Sequence, residues 1–152
     1  MLTICNRYFI ILYPRVWSFE LIECWLRGSI WATGKTVIIT NYELHDGKLR
    51  GSMDGGYYAA RFAALKYLEK TRRQATIIIV REITPDYFAP VGVWQVRESI
   101  LSAFDFKPIK VDSLIDIWEN LRKYIETPTN EILSNSILFR KIMREEKITK
   151  YF

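Results

Sequence analysis

The chain has 152 residues, 49% of them hydrophobic, and a formal net charge of +5. That length suits one compact domain with a sizeable core, and no apolar run approaches the ~18 residues that a bilayer-spanning helix needs. Two cysteines, Cys5 and Cys24, form no CxxC pair, and His45 is the single histidine, so neither a structural zinc site nor any cofactor is expected; two buried, reduced thiols in a reducing cytoplasm are.

Residues 7–13 are rich in β-formers and are closed by Pro14. The opening stretch lacks a basic n-region and a small-residue cleavage site, so it reads as a strand and not as a signal peptide. Residues 19–31 are aromatic and strand-like, and residues 36–44 carry the β-branched content of a strand. Asp46-Gly47 is a turn signal. Asp54-Gly55-Gly56 opens a helix with Asp54 as its cap. Tyr57, Ala60, Ala64, Tyr67 and Leu68 recur at three and four, which carries that helix to about Lys70. Within residues 74–83, Ile77-Ile78-Ile79-Val80 predicts a strand covered on both faces. A proline-bracketed loop over residues 84–90 leads to a helix over residues 91–104, with Val93, Val96, Ile100 and Phe104 on one side. Asp112 caps or begins a third helix, striped by Leu114, Ile115, Trp118, Leu121 and Ile125. Thr127-Pro128-Thr129 separates it from a last helix over residues 130–146. The predicted class is α/β or α+β: a small mixed sheet with helices packed on it, a helical C-terminal part and a short flexible tail. Residues 1–144 form one domain in this reading, and residues 145–152 are the tail.

The excess of positive charge lies in the first half of the chain, with its densest cluster at Arg61, Lys66, Lys70, Arg72 and Arg73. Such a face next to aromatics suits phosphate-backbone binding, because Lys and Arg release condensed counterions; it equally suits a solvated helix face. In layered α/β folds ligands gather beyond the C-terminal ends of strands. That rule points to Arg81, Glu82 and the following loop, with Arg97 and Glu98 on the next helix. Pairing of Arg81 with Glu98, or of Glu82 with Arg97, builds a polar cluster under Tyr87 and Trp94. It serves either as a phosphate site or as a pair of ion bridges locking loop to helix. Glu20 and Glu23 share a face on a helix but point apart in a strand. His45 reads as a solvated loop residue.

The C-terminal residues Glu145, Ile148, Tyr151 and Phe152 have the spacing of an aliphatic residue followed three places later by two aromatics. This is similar to the PCNA-interacting (PIP) box, with Glu145 standing where that motif has Gln; a carboxylate has no amide NH₂ to donate. Longer blocks add to it: Gly55-Gly56-Tyr57-Tyr58-Ala59-Ala60-Arg61, Arg72-Arg73-Gln74-Ala75, Arg81-Glu82-Ile83 and Pro90-Val91-Gly92-Val93-Trp94-Gln95-Val96-Arg97-Glu98, preceded by Trp17, Glu20, Glu23 and Trp25. Together these resemble the C-terminal domain of the archaeal Nre DNA-repair family, over roughly residues 6–105 plus the tail. The resemblance implies a role in the DNA-damage response through the PCNA sliding clamp, with DNA as a second partner. The family also carries an N-terminal domain with a zinc-ribbon-like motif, which has no counterpart in this reading. A separately encoded N-terminal half is therefore an expected partner, and an exposed apolar patch is expected near residues 8–31. The alternative function is a nucleotide- or nucleic-acid-processing enzyme using Arg81, Glu82, Arg97 and Glu98.

Overall fold

The computed structural model describes the backbone of residues 2–3, 6–52, 55–87 and 92–149, and the side chains from residue 6 to residue 146 within those ranges. Its centre is a mixed sheet of strands β1 (Leu2–Thr3), β2 (Asn6–Tyr13), β3 (Ser18–Trp25), β4 (Val37–Glu43), β5 (Leu49–Arg50) and β6 (Thr76–Ile83), in the spatial order β1-β2-β6-β3-β4-β5. The middle pair, β3 and β6, run parallel, with Ser18 opposite Thr76 and Trp25 opposite Ile83. Every residue of both strands is buried. This is why β6 reads Ile77-Ile78-Ile79-Val80 without alternation: a strand covered on both faces has no solvent side to make polar. The flanking strands β2 and β4 pair antiparallel to them.

Helices cover both faces, giving an α+β fold. On one face Phe19, Leu21, Ile77 and Ile79 pack with Tyr57, Ala60, Ala64 and Leu68 of α1 (Gly55–Thr71) and with Val96 and Ile100 of α2 (Val93–Ala103). On the other, Ile22, Cys24, Ile78 and Val80 meet Ile117 and Leu121 of α3 (Leu114–Arg122), Ile132 of α4 (Thr129–Asn135) and Leu138, Phe139 and Ile142 of α5 (Ile137–Thr149). Each fully buried Ile, Leu or Phe contributes about 1.5–3 kcal/mol through removal of apolar area from water.

Four local expectations need correcting. The third helix is capped by Ser113, whose hydroxyl accepts from the Asp116 amide, and not by Asp112. The strand-like reading of residues 19–31 stops at Trp25, beyond which the chain turns at Gly28 with φ near +92°. Val93 and Ile115, placed on apolar stripes, are exposed. The single last helix is two. It breaks at Ser136, where the buried Glu20 carboxylate accepts from the Ser136 hydroxyl (2.6 Å), the Ile137 amide (2.7 Å) and the Leu138 amide (3.3 Å). A side chain from β3 thus caps a new helix N-terminus, satisfying donors that the helix itself leaves orphaned.

The Asp46-Gly47 turn is as expected, with Gly47 at φ near +68° and its amide bonded to the Leu44 carbonyl. Cys24 is buried, and burial pushes its thiol up to about 12. Cys5 and Asp54 lie outside the described residues. No helix among the described residues is long and apolar enough to cross a membrane.

Candidate functional site: an aromatic cavity and the two poles of the sheet

Parity along the strands sorts the charged residues. On β6, Arg81 shares a face with Ile77 and Ile79, whereas Glu82 points to the other. Arg81 therefore meets its register partner on β3, Glu23, at 2.7 Å (Nη1 to carboxylate), and its Nε donates to Asn6 at 2.9 Å. Both charged side chains are almost fully buried. Three rings surround the guanidinium, those of Tyr8, Trp25 and Tyr87, with centroids 5.7–6.0 Å away. Burial pushes the Tyr8 phenol up, against the pull of Arg81.

Above this pair lies a cavity of about 250 Å³ at the C-terminal ends of β3 and β6, walled by Trp25, Trp31 and Tyr87 and by the first turns of α1 and α2 at Gly56 and Val93. Trp25 sits edge-on to Trp31 (centroids 6.4 Å apart, 88° between planes) and tilted to Tyr87 (6.5 Å, 61°). The two helix starts are in contact: a Cβ on Gly55 would stand 2.6 Å from Val93 Cγ1, so only glycine lets them approach this closely.

Glu82 works on the opposite face. Its carboxylate accepts from Arg7 at 2.7 Å, from the Glu126 and Thr127 amides and from the Thr127 hydroxyl. Arg97 and Glu98 are half exposed and pair with each other at 3.0 Å. Arg81, Glu82, Arg97 and Glu98 are thus not brought together, because successive strand residues face opposite ways and the helical pair faces solvent. The basic cluster also divides. Arg61 is held by Glu43 at 2.7 Å, whereas Lys66, Lys70, Arg72 and Arg73 are exposed around the C-terminal half of α1.

The other end of the sheet carries the chain's C-terminal helix. There Arg15, in the β2–β3 turn, pairs with Glu145 at 2.6 Å, and the Tyr13 hydroxyl donates to Glu146 at 2.8 Å. Helix α5 runs on to Thr149, across the expected boundary between domain and tail at residues 144 and 145. The side chain of Ile148, and Tyr151 and Phe152 altogether, lie outside the described residues. His45 is exposed, and the described residues contain no group of His, Cys, Asp and Glu able to hold a metal. Of the expected exposed patch, Val16, Ile30 and Trp31 are exposed, Trp17 is half-buried, and Tyr8 and Trp25 are buried.

Sequence reasoning named Arg81 but missed its partners Glu23, Asn6 and Trp25. One signal was present: an arginine in a strand that reads as covered on both faces has to find a carboxylate.

The sequence profile described as "Archaeal Nre, C-terminal" matches residues 43–151. The chain belongs to the archaeal Nre family. A second profile, "Archaeal Nre, N-terminal", matches residues 2–32. This corrects the expectation that the family's first domain has no counterpart here. The stretch that matches it supplies β1, β2 and β3, which are hydrogen-bonded into the same sheet as β5 and β6 from the C-terminal match. Among curated Nre proteins, the chain is 38% identical over 112 residues to DNA repair protein NreA of Archaeoglobus fulgidus, covering 73% of this chain. It is 31% identical over 138 residues to DNA repair protein NreA of Haloferax volcanii (88% of this chain) and 34% identical over 138 residues to DNA repair protein NreB of Archaeoglobus fulgidus (90%). The matched regions span 29%, 33% and 35% of those relatives' own lengths, about a third. No solved structure matches the chain.

Proposed function

We propose that this Nre chain acts in cytoplasmic DNA repair by engaging the PCNA sliding clamp through its C-terminal end. The anchors are Ile148, Tyr151 and Phe152, with Glu145 at the position of the motif's Gln. What supports this reading, beside the names of the relatives, is how α5 is mounted. The Arg15–Glu145 and Tyr13–Glu146 contacts hold the helix against the β2 end of the domain one turn before position 148. Glu145 is engaged by Arg15 in a partly exposed ion pair, a contact of about 1 kcal/mol or less that a clamp pocket would have to compete with.

DNA is the second proposed partner. Lys70, Arg72 and Arg73 end α1 just before β6 begins, the same end of the sheet at which Arg15 holds α5. Cations on α1 at that end of the sheet would meet the phosphates of clamp-held DNA. The enzymatic alternative gains no geometric support, since its four residues do not converge.

Calorimetry of the whole chain against a PCNA clamp tests the proposal. Micromolar binding is expected, with loss of about thirty-fold or more for Tyr151→Ala or Phe152→Ala, since buried aromatic anchors cost about 2 kcal/mol or more on truncation. Glu145→Gln should bind as well or better. No heat at high micromolar concentration removes the clamp.

A further inference from the structure

We propose that the cavity over Arg81 and Glu23 receives one unstacked nucleobase of a DNA strand. The choice of ligand rests on the DNA-repair reading; the site is independent of the clamp anchor. The walls are π surfaces: Trp25, Trp31 and Tyr87 surround the opening, and Trp31, edge-on to Trp25, stands 69% exposed. The floor offers hydrogen bonds. Arg81 uses Nε on Asn6 and Nη1 on Glu23, and its Nη2 makes no hydrogen bond among the described residues. The indole N–H of Trp25, a residue only 8% exposed, likewise has no partner among the described residues. A buried donor left unmatched is costly, so a ligand that accepts from it recovers that cost.

The chemistry favours a base over a phosphate. The guanidinium is already neutralised by Glu23, so the floor carries no net charge to hold an anion. The exposed cations Lys70, Arg72 and Arg73 sit at the other end of α1, about 25 Å away for a helix of 17 residues. A planar heteroaromatic ring uses what the cavity does provide, faces for stacking and a guanidinium nitrogen that can donate to a ring acceptor. The volume, about 250 Å³, falls below the usual range for drug-sized ligands and suits one ring system. Trp94, exposed on α2 against Gly92 at the rim, gives a neighbouring base a second face. Extruding one base from a stack is how proteins that inspect or repair bases reach them.

Fluorescence anisotropy of the whole chain with a labelled single-stranded oligonucleotide tests this, beside the same strand with abasic positions. The base-containing strand should bind more tightly. Trp31→Ala should lower its affinity about five- to thirty-fold, to the level of the abasic strand, while leaving the abasic affinity and the thermal midpoint unchanged. Arg72→Ala with Arg73→Ala should weaken both strands alike. Equal loss on both strands with Trp31→Ala, or loss on neither, overturns the base pocket. Absence of DNA binding at low salt alongside intact clamp binding also overturns it, and leaves the repair reading standing; absence of both sinks the two together.

Discussion

Four carboxylates buried on the strands, Glu20, Glu23, Glu43 and Glu82, carry much of the architecture. A buried charge is tolerated only when paired or hydrogen-bonded. Each has its own partners: Glu20 the start of α5, Glu23 the Arg81 guanidinium, Glu43 Trp17, Tyr57 and Arg61, and Glu82 Arg7 and the Thr127 turn. Arg81→Met alone should lower stability by about 3–5 kcal/mol, because it removes the cation that pairs with the buried Glu23 carboxylate. Combining it with Glu23→Leu should recover part of that loss, and urea melts of the two single variants and the double would reveal the coupling. Additive losses would deny it. Burial raises the pKa of Glu20 above its ordinary 4.5, against the donors of Ser136, Ile137 and Leu138. A raised folded pKa means that its contribution is full below about pH 4.5 and declines as pH rises through the folded value. Glu20→Gln should cost more near pH 4 than near pH 7, since only the wild-type carboxyl gains stability on protonation whereas the amide does not titrate. A pH-independent difference in the urea midpoints would contradict the burial-driven titration.

The elements end where side chains and backbone geometry stop them. Helix α1 closes with Arg72 at φ near +52°, its amide on the Glu69 carbonyl and the Arg73 amide on the Leu68 carbonyl. That is a left-handed C-terminal cap occupied by a residue with a Cβ, where glycine is the unstrained choice. Arg72→Gly should therefore raise stability by about 1 kcal/mol, and a lowered thermal midpoint would show that the Arg72 side chain contributes more than its strain costs. Helix α5 begins because Ser136 is extended and its hydroxyl accepts from the Phe139 amide while donating to Glu20. Ser136→Ala removes both bonds, with an expected loss of about 1–2 kcal/mol concentrated in α4 and α5. Hydrogen exchange should report it there first, and uniform loss of protection would argue against a local cap.

At the scale of the whole molecule the fold separates its proposed contacts. The aromatic cavity lies beyond the C-terminal ends of β3 and β6, while the end of α5 and the exposed cations of α1 lie at the opposite pole. A clamp and a DNA strand could then be held together without competing. If the cations meet phosphate, Arg72→Ala with Arg73→Ala should flatten the dependence of log affinity on log salt by about two units. An unchanged slope leaves a solvated helix face. Removing Tyr151 and Phe152 should abolish clamp binding with the thermal midpoint nearly unchanged; a clear drop in midpoint would mean that these residues pack on their own domain.

The sequence by itself determined the strands and helices whose apolar pattern is local: the doubly covered β6, the stripe of α1 and the turn at Asp46-Gly47. Its longest motif blocks also carried the family, because they hold many residues in fixed spacing. What it lacked was partnership across the sheet. Arg81 and Glu82 are adjacent in sequence yet work on opposite faces, since strand side chains alternate. Glu23 meets Arg81 across 58 residues, and Glu20 meets Ser136 across 116. Such pairs follow from register, and register is decided only when the hydrophobic faces of all the strands are buried together. The break between α4 and α5 has the same origin: residues 130–146 carry one continuous helical pattern, and only a carboxylate from a distant strand divides it.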